Sequence, residues 1–285
     1  MPFQDKVVWI TGASSGIGAA LVRAAAGRGS WVIASGRRVA ELKRVTGDGT
    51  QALVLPFEVT DYAALPGVVE KAWDWRGRVD VLVNNAGVSQ RSLALDTDFQ
   101  VYRRLIEIDY LAPVALTQLV LPRMVERRSG HVAAVSSVAG KVGSPLRTGY
   151  SGAKHAIVGY FDSLRAEVEA AYGIGVSVVL PGSVRTSIAV NALTGDGSAR
   201  GRSDANIDAG MDPAAVAETI LDGIDAGKPE IVVADGRELG ALQLRSQDPQ
   251  TLFAVLAMEG ARLAKLRAEG NRLDPAEIRG RSPNS

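Results

Sequence analysis

A tyrosine and a lysine four positions apart are the residues of this sequence best suited to moving a proton. Tyr150 and Lys154 share one face of a predicted helix, and an ammonium group beside a phenol favours the ionised phenolate. Ser137 stands thirteen residues before Tyr150, at the end of a predicted strand, where its hydroxyl can hydrogen-bond a substrate oxygen. A Tyr-x-x-x-Lys pair alone is more often a solvated helix face. With the serine, and with the glycine-rich turn described next, the pair predicts general acid–base catalysis on a carbonyl or alcohol.

A glycine-rich turn near the N-terminus has the features of a dinucleotide-binding site. It follows an apolar run, precedes a helical pattern and has the spacing G-x-x-x-G-x-G. Side chains at its glycines would keep a pyrophosphate away from the amide groups at the helix N-terminus, where the helix dipole favours negative charge. The alternative is a turn that binds nothing. The predicted binding residues of this turn are Gly12, Ser14, Ser15, Gly16, Ile17 and Gly18.

The end of the second predicted strand indicates which dinucleotide is bound. No acidic residue stands where one would bind the ribose hydroxyls of NAD. Arg37 and Arg38 follow instead, and an arginine there can pair with the 2′-phosphate of NADP. The sequence therefore predicts NADP (NADPH) as the cofactor, mainly through Arg37. The alternative is that both arginines belong to the solvated start of a helix.

Two further turns at strand ends complete the predicted cofactor site. The small residues of the first turn allow the backbone to approach the cofactor, and the second turn can present backbone groups and a hydroxyl to the nicotinamide carboxamide. The first turn follows the fourth predicted strand and contributes Asn85, Ala86 and Gly87. The second turn follows the sixth predicted strand and contributes Pro181, Gly182, Val184 and Thr186.

Composition excludes several other chemistries. The chain of 285 residues has no cysteine and two histidines, which excludes thiol catalysis and disulfides and argues against a metal site. A net charge of +1 does not favour a nucleic-acid partner. We find neither a signal peptide nor an apolar run long enough to span a bilayer, so the expected location is the cytoplasm.

Short apolar runs alternate with helical patterns along most of the chain. This alternation predicts an α/β fold of the Rossmann type: a doubly wound, seven-stranded parallel sheet with helices on both faces. The predicted strands are Lys6–Ile10, Trp31–Ala34, Leu53–Leu55, Val81–Val83, Val132–Val135, Val176–Leu180 and Glu230–Val233. The predicted helices are Gly16–Gly27 and about 61–76, 98–128, 151–171 and 213–226.

Two segments do not fit the alternation. Residues 187–212 are rich in Gly, Ser, Asp and Asn, and a loop of this length predicts a lid over a hydrophobic substrate. The apolar residues of the lid that we expect to face the site are Ile188, Val190, Ala192, Leu193 and Ile207. An amphipathic helix is predicted at about 250–269, followed by a polar tail at about 270–285. We therefore divide the chain into a catalytic domain at 1–240 and a C-terminal helical extension at 241–285.

The motifs together resemble those of the short-chain dehydrogenase/reductase family, over about residues 5–235. Segments 130–132, 151–156 and 190–198 are similar to the branch of dehydrogenase/reductase members 7 and 7B. The resemblance implies that Ser137 polarises the substrate oxygen, Tyr150 transfers the proton, and Lys154 binds the ribose and favours the tyrosinate. It also implies a homodimer or homotetramer formed through the helices at 98–128 and 151–171. The motifs that carry it are TGASSGIG, NNAG, S-x12-Y-x3-K and PGSVRT.

The sequence departs from the family pattern at two positions. Asp109 stands where the family usually has an asparagine whose main-chain carbonyl holds a water linked to the lysine. Asp109 keeps a carbonyl, but its carboxylate can also act on neighbouring ionisations, so we include it among the candidate catalytic residues. Glu58-Val59 stands in place of the usual Asp-Val near the adenine, and Glu58 can still accept a hydrogen bond from the adenine amino group.

The sequence thus predicts an NADP-dependent oxidoreductase that interconverts a secondary alcohol and a ketone, with a small-molecule partner and no metal. One alternative is a non-redox relative, a lyase or isomerase, that reuses the serine and tyrosine. Another is a catalytically silent cofactor-sensing protein, suggested by Asp109 and the additional C-terminal helix.

Overall fold

A seven-stranded parallel sheet forms the centre of the molecule. The computed structural model describes residues 3–47, 51–271 and 273. The strand order is β3-β2-β1-β4-β5-β6-β7, and each neighbouring pair is parallel. The predicted Rossmann-type sheet is confirmed. The strands are β1 Val7–Ile10, β2 Trp31–Ala34, β3 Ala52–Val54, β4 Val81–Asn84, β5 Gly130–Val135, β6 Ile174–Pro181 and β7 Glu230–Val233.

Helices cover both faces of the sheet because alternate strand residues are apolar on both sides. Val8 and Ile10 of β1 pack with α1 and α8, whereas Val7 and Trp9 pack with α3, α5 and α6. The helices are α1 Gly16–Gly27, α2 Val39–Thr46, α3 Leu65–Arg76, α4 Phe99–Ile106, α5 Ala112–Arg127, α6 Thr148–Tyr172, α7 Ala205–Asp208, α8 Pro213–Asp225, α9 Gly236–Gln247 and α10 Pro249–Ala268.

The predicted helix at 98–128 is not a single α-helix. A π-helical turn, Glu107–Leu111, separates α4 from α5. The three parts together, Phe99–Arg127, pass a test of length and mean hydropathy (1.4) for a membrane-spanning helix, and 33% of the most apolar window is buried. We expected no apolar run long enough to span a bilayer, and that expectation is corrected, because α4, the π-helical turn and α5 join end to end. The core helices of soluble proteins pass the same test.

The segment after β7 contains two helices where one was predicted. Helix α9 includes residues 240 and 241, the predicted domain boundary, and it has no buried residue. Helix α10 begins and ends within one residue of the prediction and buries Leu252 and Leu263. Leu252 packs against Val138 and Val142 in the loop after β5. Most of the predicted polar tail, residue 272 and residues 274–285, lies outside the described residues.

Candidate active site

A cavity of about 530 Å³ lies at the carboxyl ends of the central strands and brings most of the predicted site residues together. Gly18 and Asp109, also predicted, do not line it: Gly18 packs against the Gly12 carbonyl, and Asp109 lies beside Lys154. The predicted residues that do line the cavity are Gly12, Ser14, Ser15, Gly16, Ile17, Arg37, Arg38, Glu58, Val59, Asn85, Ala86, Gly87, Ser137, Tyr150, Lys154, Pro181, Gly182, Val184 and Thr186.

The glycine-rich turn between β1 and α1 has the conformation that its sequence requires. Gly12 and Gly16 adopt positive φ angles of 66° and 55°, which favour glycine. A Cβ at Gly12 would lie 2.8 Å from the Ala86 Cα atom. Ser15 precedes α1 without capping it, and the first turn of the helix holds no acidic residue. The first amide groups of α1 are thus uncapped by Ser15 and border the cavity, which fits an anionic pyrophosphate.

Hydrogen bonds join this turn to the turn after β4. The Thr11 hydroxyl accepts from the amides of Asn85 and Ala86, each at 3.0 Å. The Asn85 side chain donates back to the Thr11 carbonyl at 2.9 Å. The two walls of the cofactor cleft are therefore held together by the residues of the motifs themselves.

The two arginines after β2 have different partners. Arg38 donates to the Ser14 and Ser15 hydroxyls at 3.0 and 3.1 Å, so it is joined directly to the glycine-rich turn. Arg37 is 68% exposed and forms an ion pair with Glu58 at 3.4 Å. Both guanidinium groups border the cavity next to the turn, and the donors fit a phosphate there.

The Ser137, Tyr150 and Lys154 side chains lie on two elements that meet at the cavity. Ser137 follows β5, and its hydroxyl accepts from the Ala139 amide at 3.1 Å and donates to the Pro181 carbonyl at 3.4 Å. The Lys154 ammonium donates to the Val135 carbonyl at 3.0 Å and lies 5.8 Å from the centre of the Tyr150 ring. A serine hydroxyl, a phenol and an ammonium therefore border the same space.

A buried glutamine positions the helix that carries the tyrosine. The Gln90 side-chain oxygen accepts from the amides of Gly149 and Tyr150 at 2.8 and 3.3 Å. Gln90 is fully buried, and its backbone forms an isolated bridge with Leu193. Sequence reasoning missed this residue because nothing in the local pattern shows that a loop glutamine meets a helix about sixty positions away.

Asp109 lies in the π-helical turn and approaches Lys154 from the protein interior. One carboxylate oxygen, Oδ1, accepts from the Val88 amide at 3.0 Å and lies 3.3 Å from the Lys154 Nζ atom. Burial raises the pKa of Asp109, while Lys154 and the Val88 amide oppose that shift. Burial by itself would lower the pKa of Lys154, but the Asp109 carboxylate and Tyr150 raise it above its usual range. The pair is therefore electrostatically coupled.

The predicted lid, residues 187–212, lies against the loop after β4. The Leu193 amide donates to the Ser89 carbonyl at 2.8 Å, and the Arg91 amide donates to the Leu193 carbonyl at 2.9 Å. Among the apolar residues that we expected to face the site, Ile188, Leu193 and Ile207 line the cavity. Val190 and Ala192 do not line it, and Ala192 is fully buried, so the expectation is wrong for these two.

The turn after β6 is held by a residue of α9. The Glu238 carboxylate accepts from the Ser183 amide at 2.7 Å and from the Ser183 hydroxyl at 2.6 Å. A Cβ at the neighbouring Gly182 would meet the same carboxylate, so glycine allows this approach. A residue from the C-terminal part of the chain thus supports the cavity wall.

Several lining residues were not predicted from the sequence. Most carry no reactive group, and their proximity depends on the packing of segments far apart in the chain. Adjacency to a predicted catalytic or cofactor-binding residue in the sequence was the local signal for six of them: Gly36, Phe57, Val88, Ile108, Ser136 and Ser187. The unpredicted lining residues are Gly36, Phe57, Val88, Arg104, Ile108, Val135, Ser136, Ser187, Asn191 and Ala199. Within the described part of the chain, no group of three or more His, Cys, Asp or Glu side chains is arranged to hold a metal ion.

Comparison with known proteins identifies the family. A family model described as short chain dehydrogenase matches residues 6–196. The chain belongs to the short chain dehydrogenase family. The protein therefore falls within an oxidoreductase family, and the resemblance inferred from its motifs is confirmed.

Relatives in animals support the predicted branch. Dehydrogenase/reductase SDR family member 7B of Danio rerio is 41% identical over 264 residues, which cover 89% of this chain and 85% of the relative. Dehydrogenase/reductase SDR family protein 7-like of Drosophila melanogaster is 40% identical over 266 residues, 90% of this chain and 81% of the relative. The similarity to the member 7 and 7B branch is thus confirmed over most of the chain.

Solved structures share the fold. A short-chain dehydrogenase from Streptomyces avermitilis is 30% identical with a TM-score of 0.74, covering 93% of this chain and 97% of that one. A Burkholderia phymatum homologue in complex with NAD has a TM-score of 0.78 at 22% identity, covering 88% and 96% of the two chains. A Burkholderia cenocepacia homologue in complex with NADP has a TM-score of 0.76 at 23% identity, covering 90% and 99%. The last two show the fold alone.

Proposed function

We propose that this dehydrogenase interconverts a secondary alcohol and a ketone with NADP(H). The observation that carries the proposal is that Tyr150 and Lys154 border the same cavity as the glycine-rich turn at Gly12 and Gly16. A proton-transfer group and a dinucleotide cradle thus share one space. That combination is what hydride transfer to or from a carbonyl carbon requires.

The three polar side chains have separate tasks in this proposal. When bound, the nicotinamide supplies or accepts the hydride. The Ser137 hydroxyl, two residues beyond the end of β5, hydrogen-bonds the substrate oxygen. Tyr150 donates its phenolic proton to that oxygen in reduction and takes a proton from it in oxidation. The positive charge of Lys154 lies beside the ring and stabilises the phenolate that Tyr150 becomes when it has given up its proton.

The preference for NADP rests on the two arginines beside the turn. Arg38 is bonded to Ser14 and Ser15, and Arg37 lies at the rim with Glu58. No acidic residue ends β2, whereas an acidic residue there would bind the ribose hydroxyls of NAD. The 2′-phosphate of NADP meets guanidinium groups and hydroxyls at this position instead. Arg37 is the determinant that we propose, with Arg38 positioning the serines.

We propose a hydrophobic substrate because apolar side chains line the cavity that Tyr150 borders. Ile188, Leu193 and Ile207 of the lid and Val88 of the loop after β4 all border it. A medium-sized ketone or alcohol with aliphatic or aromatic substituents fits this lining better than a sugar or a charged acid.

We also propose a homodimer or homotetramer. Phe99 of α4 and Tyr172 of α6 are 72% and 40% exposed, and Leu111 of the π-helical turn is 37% exposed. These apolar side chains lie on the helical segments at which we expect subunits to meet. Light scattering of the purified protein tests this proposal, and a monomer at micromolar concentration contradicts it.

The test of the proposed activity is the change in NADPH absorbance with a panel of ketones. We expect turnover with apolar ketones, and we expect Tyr150→Phe to lose more than nine-tenths of it while cofactor binding is largely retained. Tyr172→Phe is the matched control, since this tyrosine lies on the same helix and 40% of it is exposed. More than a tenth of native turnover in Tyr150→Phe contradicts the role of the tyrosine. NADPH binding without any redox turnover would favour a lyase, an isomerase or a silent cofactor sensor.

A further inference from the structure

Lys154 has a carboxylate partner inside the protein. The side chains of Asp109 and Lys154 are 0% and 6% exposed, and Oδ1 lies 3.3 Å from Nζ. The other hydrogen bond of the ammonium goes to the neutral Val135 carbonyl at 3.0 Å. The charge of Lys154, which faces Tyr150 on one side, is therefore opposed by a negative group on the other.

The local structure is built to permit this contact. The π-helical turn Glu107–Leu111 turns Asp109 toward α6, and the Val88 amide holds Oδ1 at 3.0 Å. A Cβ at Gly87 would lie 2.5 Å from Oδ1 and 3.3 Å from the Lys154 Nζ atom. Glycine at position 87 thus leaves room for the two charged groups to meet, in addition to bordering the cofactor cleft.

Few other charged groups act on this pair. From the loop after β4, the Arg91 charge interacts with Tyr150, but Arg91 is paired with Asp204. From α4, Arg104 lines the same cavity. Elements β5 and α6 contribute the Val135 carbonyl and Tyr150. Asp109 is therefore the negative group in direct contact with the Lys154 ammonium among the described residues.

We propose that Asp109 is a positioning residue that acts through Lys154: its carboxylate cancels part of the field of the lysine ammonium at Tyr150. The proposal rests on the proposed function for its effect on turnover. A neutral amide at position 109 would leave the lysine charge uncompensated. The lysine of this chain therefore stabilises a tyrosinate less than it would beside an asparagine.

Proton placement within the pair favours the charged form. Lysine is the stronger base by about six pK units in water, so the proton belongs on the amine. Burial disfavours both the carboxylate and the ammonium. Their mutual attraction at 3.3 Å stabilises both charged forms against this cost.

The first test is the pH profile of alcohol oxidation in Asp109→Asn. We expect the rise in turnover to occur about one pH unit or more lower than in the native protein, because the uncompensated ammonium favours the tyrosinate. The alkaline loss of ketone reduction should move down with it. Asp98→Asn, an exposed position just before α4, makes the same change in net charge and should leave both profiles in place. An unchanged or higher profile in a folded Asp109→Asn overturns the proposal.

The second test needs neither turnover nor a variant that folds. In the native protein labelled with ¹³C, the Asp109 carboxyl resonance, assigned through residues 108–110, reports its ionisation directly. We expect the chemical shift of a carboxylate at pH 7. The shift of a carboxylic acid overturns the proposal. If no ketone or alcohol is turned over, the proposed function fails, and this measurement still decides whether Asp109 is the charged partner of Lys154.

Discussion

Arg91 and Asp204 form an ion pair inside the protein: Nε lies 2.7 Å from Oδ2, and the two side chains are 3% and 0% exposed. The pair joins the loop after β4 to the predicted lid. Burial would raise the pKa of Asp204, but Arg91 and Arg200 hold it below its usual range. The far end of the segment 187–212 is therefore anchored by charge, while its near end is anchored at Leu193 by backbone hydrogen bonds.

Removing this carboxylate should release the lid and destabilise the fold. Asp204→Asn leaves the Arg91 guanidinium buried without its counter-ion, which we expect to cost about 3–5 kcal/mol of unfolding free energy. Chemical denaturation measures the loss, and limited proteolysis should cut within 187–212 faster. Asp208→Asn, at an exposed position of the same segment, is the control. Equal stability of the two variants would show that the pair contributes little.

Truncating an apolar lid residue should lower kcat/KM for large ketones more than for small ones. Ile207 is 6% exposed and lines the cavity. Ile207→Ala removes methyl and methylene groups, so we expect kcat/KM for a bulky apolar ketone to fall about tenfold or more. A small ketone that does not reach Ile207 serves as the control substrate in the same variant. Equal losses for both ketones, or faster turnover of polyols by the native protein, would contradict a hydrophobic substrate.

Cofactor choice should reverse when Arg37 becomes acidic. In Arg37→Asp the 2′-phosphate loses a cation and meets a carboxylate, and we expect NADP affinity to fall about tenfold or more while NAD affinity rises. Fluorescence titration with each cofactor measures this change. Arg44→Asp, exposed on α2, controls for net charge. Tighter binding of NAD than NADP by the native protein would contradict the prediction. In Arg38→Ala we expect the affinities for NADP and for NAD both to fall, because Arg38 hydrogen-bonds the Ser14 and Ser15 hydroxyls of the glycine-rich turn.

The last helix should contribute to stability and to the shape of the cavity. It buries Leu252 and Leu263, and Arg267 forms an ion pair with Asp96 of the loop before α4. Burial of each leucine is worth about 1.5–3 kcal/mol, so truncation after Asp248 should lower the melting temperature and the activity. Met258→Ser, at a position that is 74% exposed, should change neither. Native mass by light scattering, native melting temperature and native activity in the truncated protein would show that the helix has no such role.

Acid should destabilise the protein partly through one histidine. Burial lowers the pKa of His131 to about 4, helped by Lys6 and Arg165, and its Nε2 atom lies 2.9 Å from the Ser177 hydroxyl. In the unfolded chain a histidine titrates near pH 6.5, so from about pH 6.5 down to 4 only the unfolded state gains this proton. Stability present above that window is therefore lost as the pH falls through it, by up to about 3 kcal/mol.

Histidine variants isolate this contribution. Denaturation of His131→Gln at several pH values should show a shallower loss of stability across the window. The chain has two histidines, and exposed His155 provides the matched control in His155→Gln. An identical slope in His131→Gln and the native protein would assign the acid sensitivity to carboxylates instead.

The sequence predicted the sheet and the cofactor turns because their signals are local. A parallel strand buried on both faces is a continuous apolar run, so predicted and observed strands differ by two residues at most at either end. Gly12 and Gly16 are required by the conformation of one turn. Helix α9 was missed because its apolar residues are at most partly buried, although Ala241, Leu242 and Leu244 pack against the cluster of Val138, Val142 and Leu252. Gln90 and Asp204 were missed because their roles depend on partners that only the folded chain brings near.

The contact between Ser183 and Glu238 matters for anyone who builds hybrids of this protein with its relatives. The stretch matched by the family model ends at residue 196, and Glu238 comes from beyond it. A crossover placed at the edge of that stretch would separate the turn after β6 from the carboxylate that holds it. Parents joined there have to be chosen for a compatible acceptor at position 238, or both residues have to be inherited from one parent.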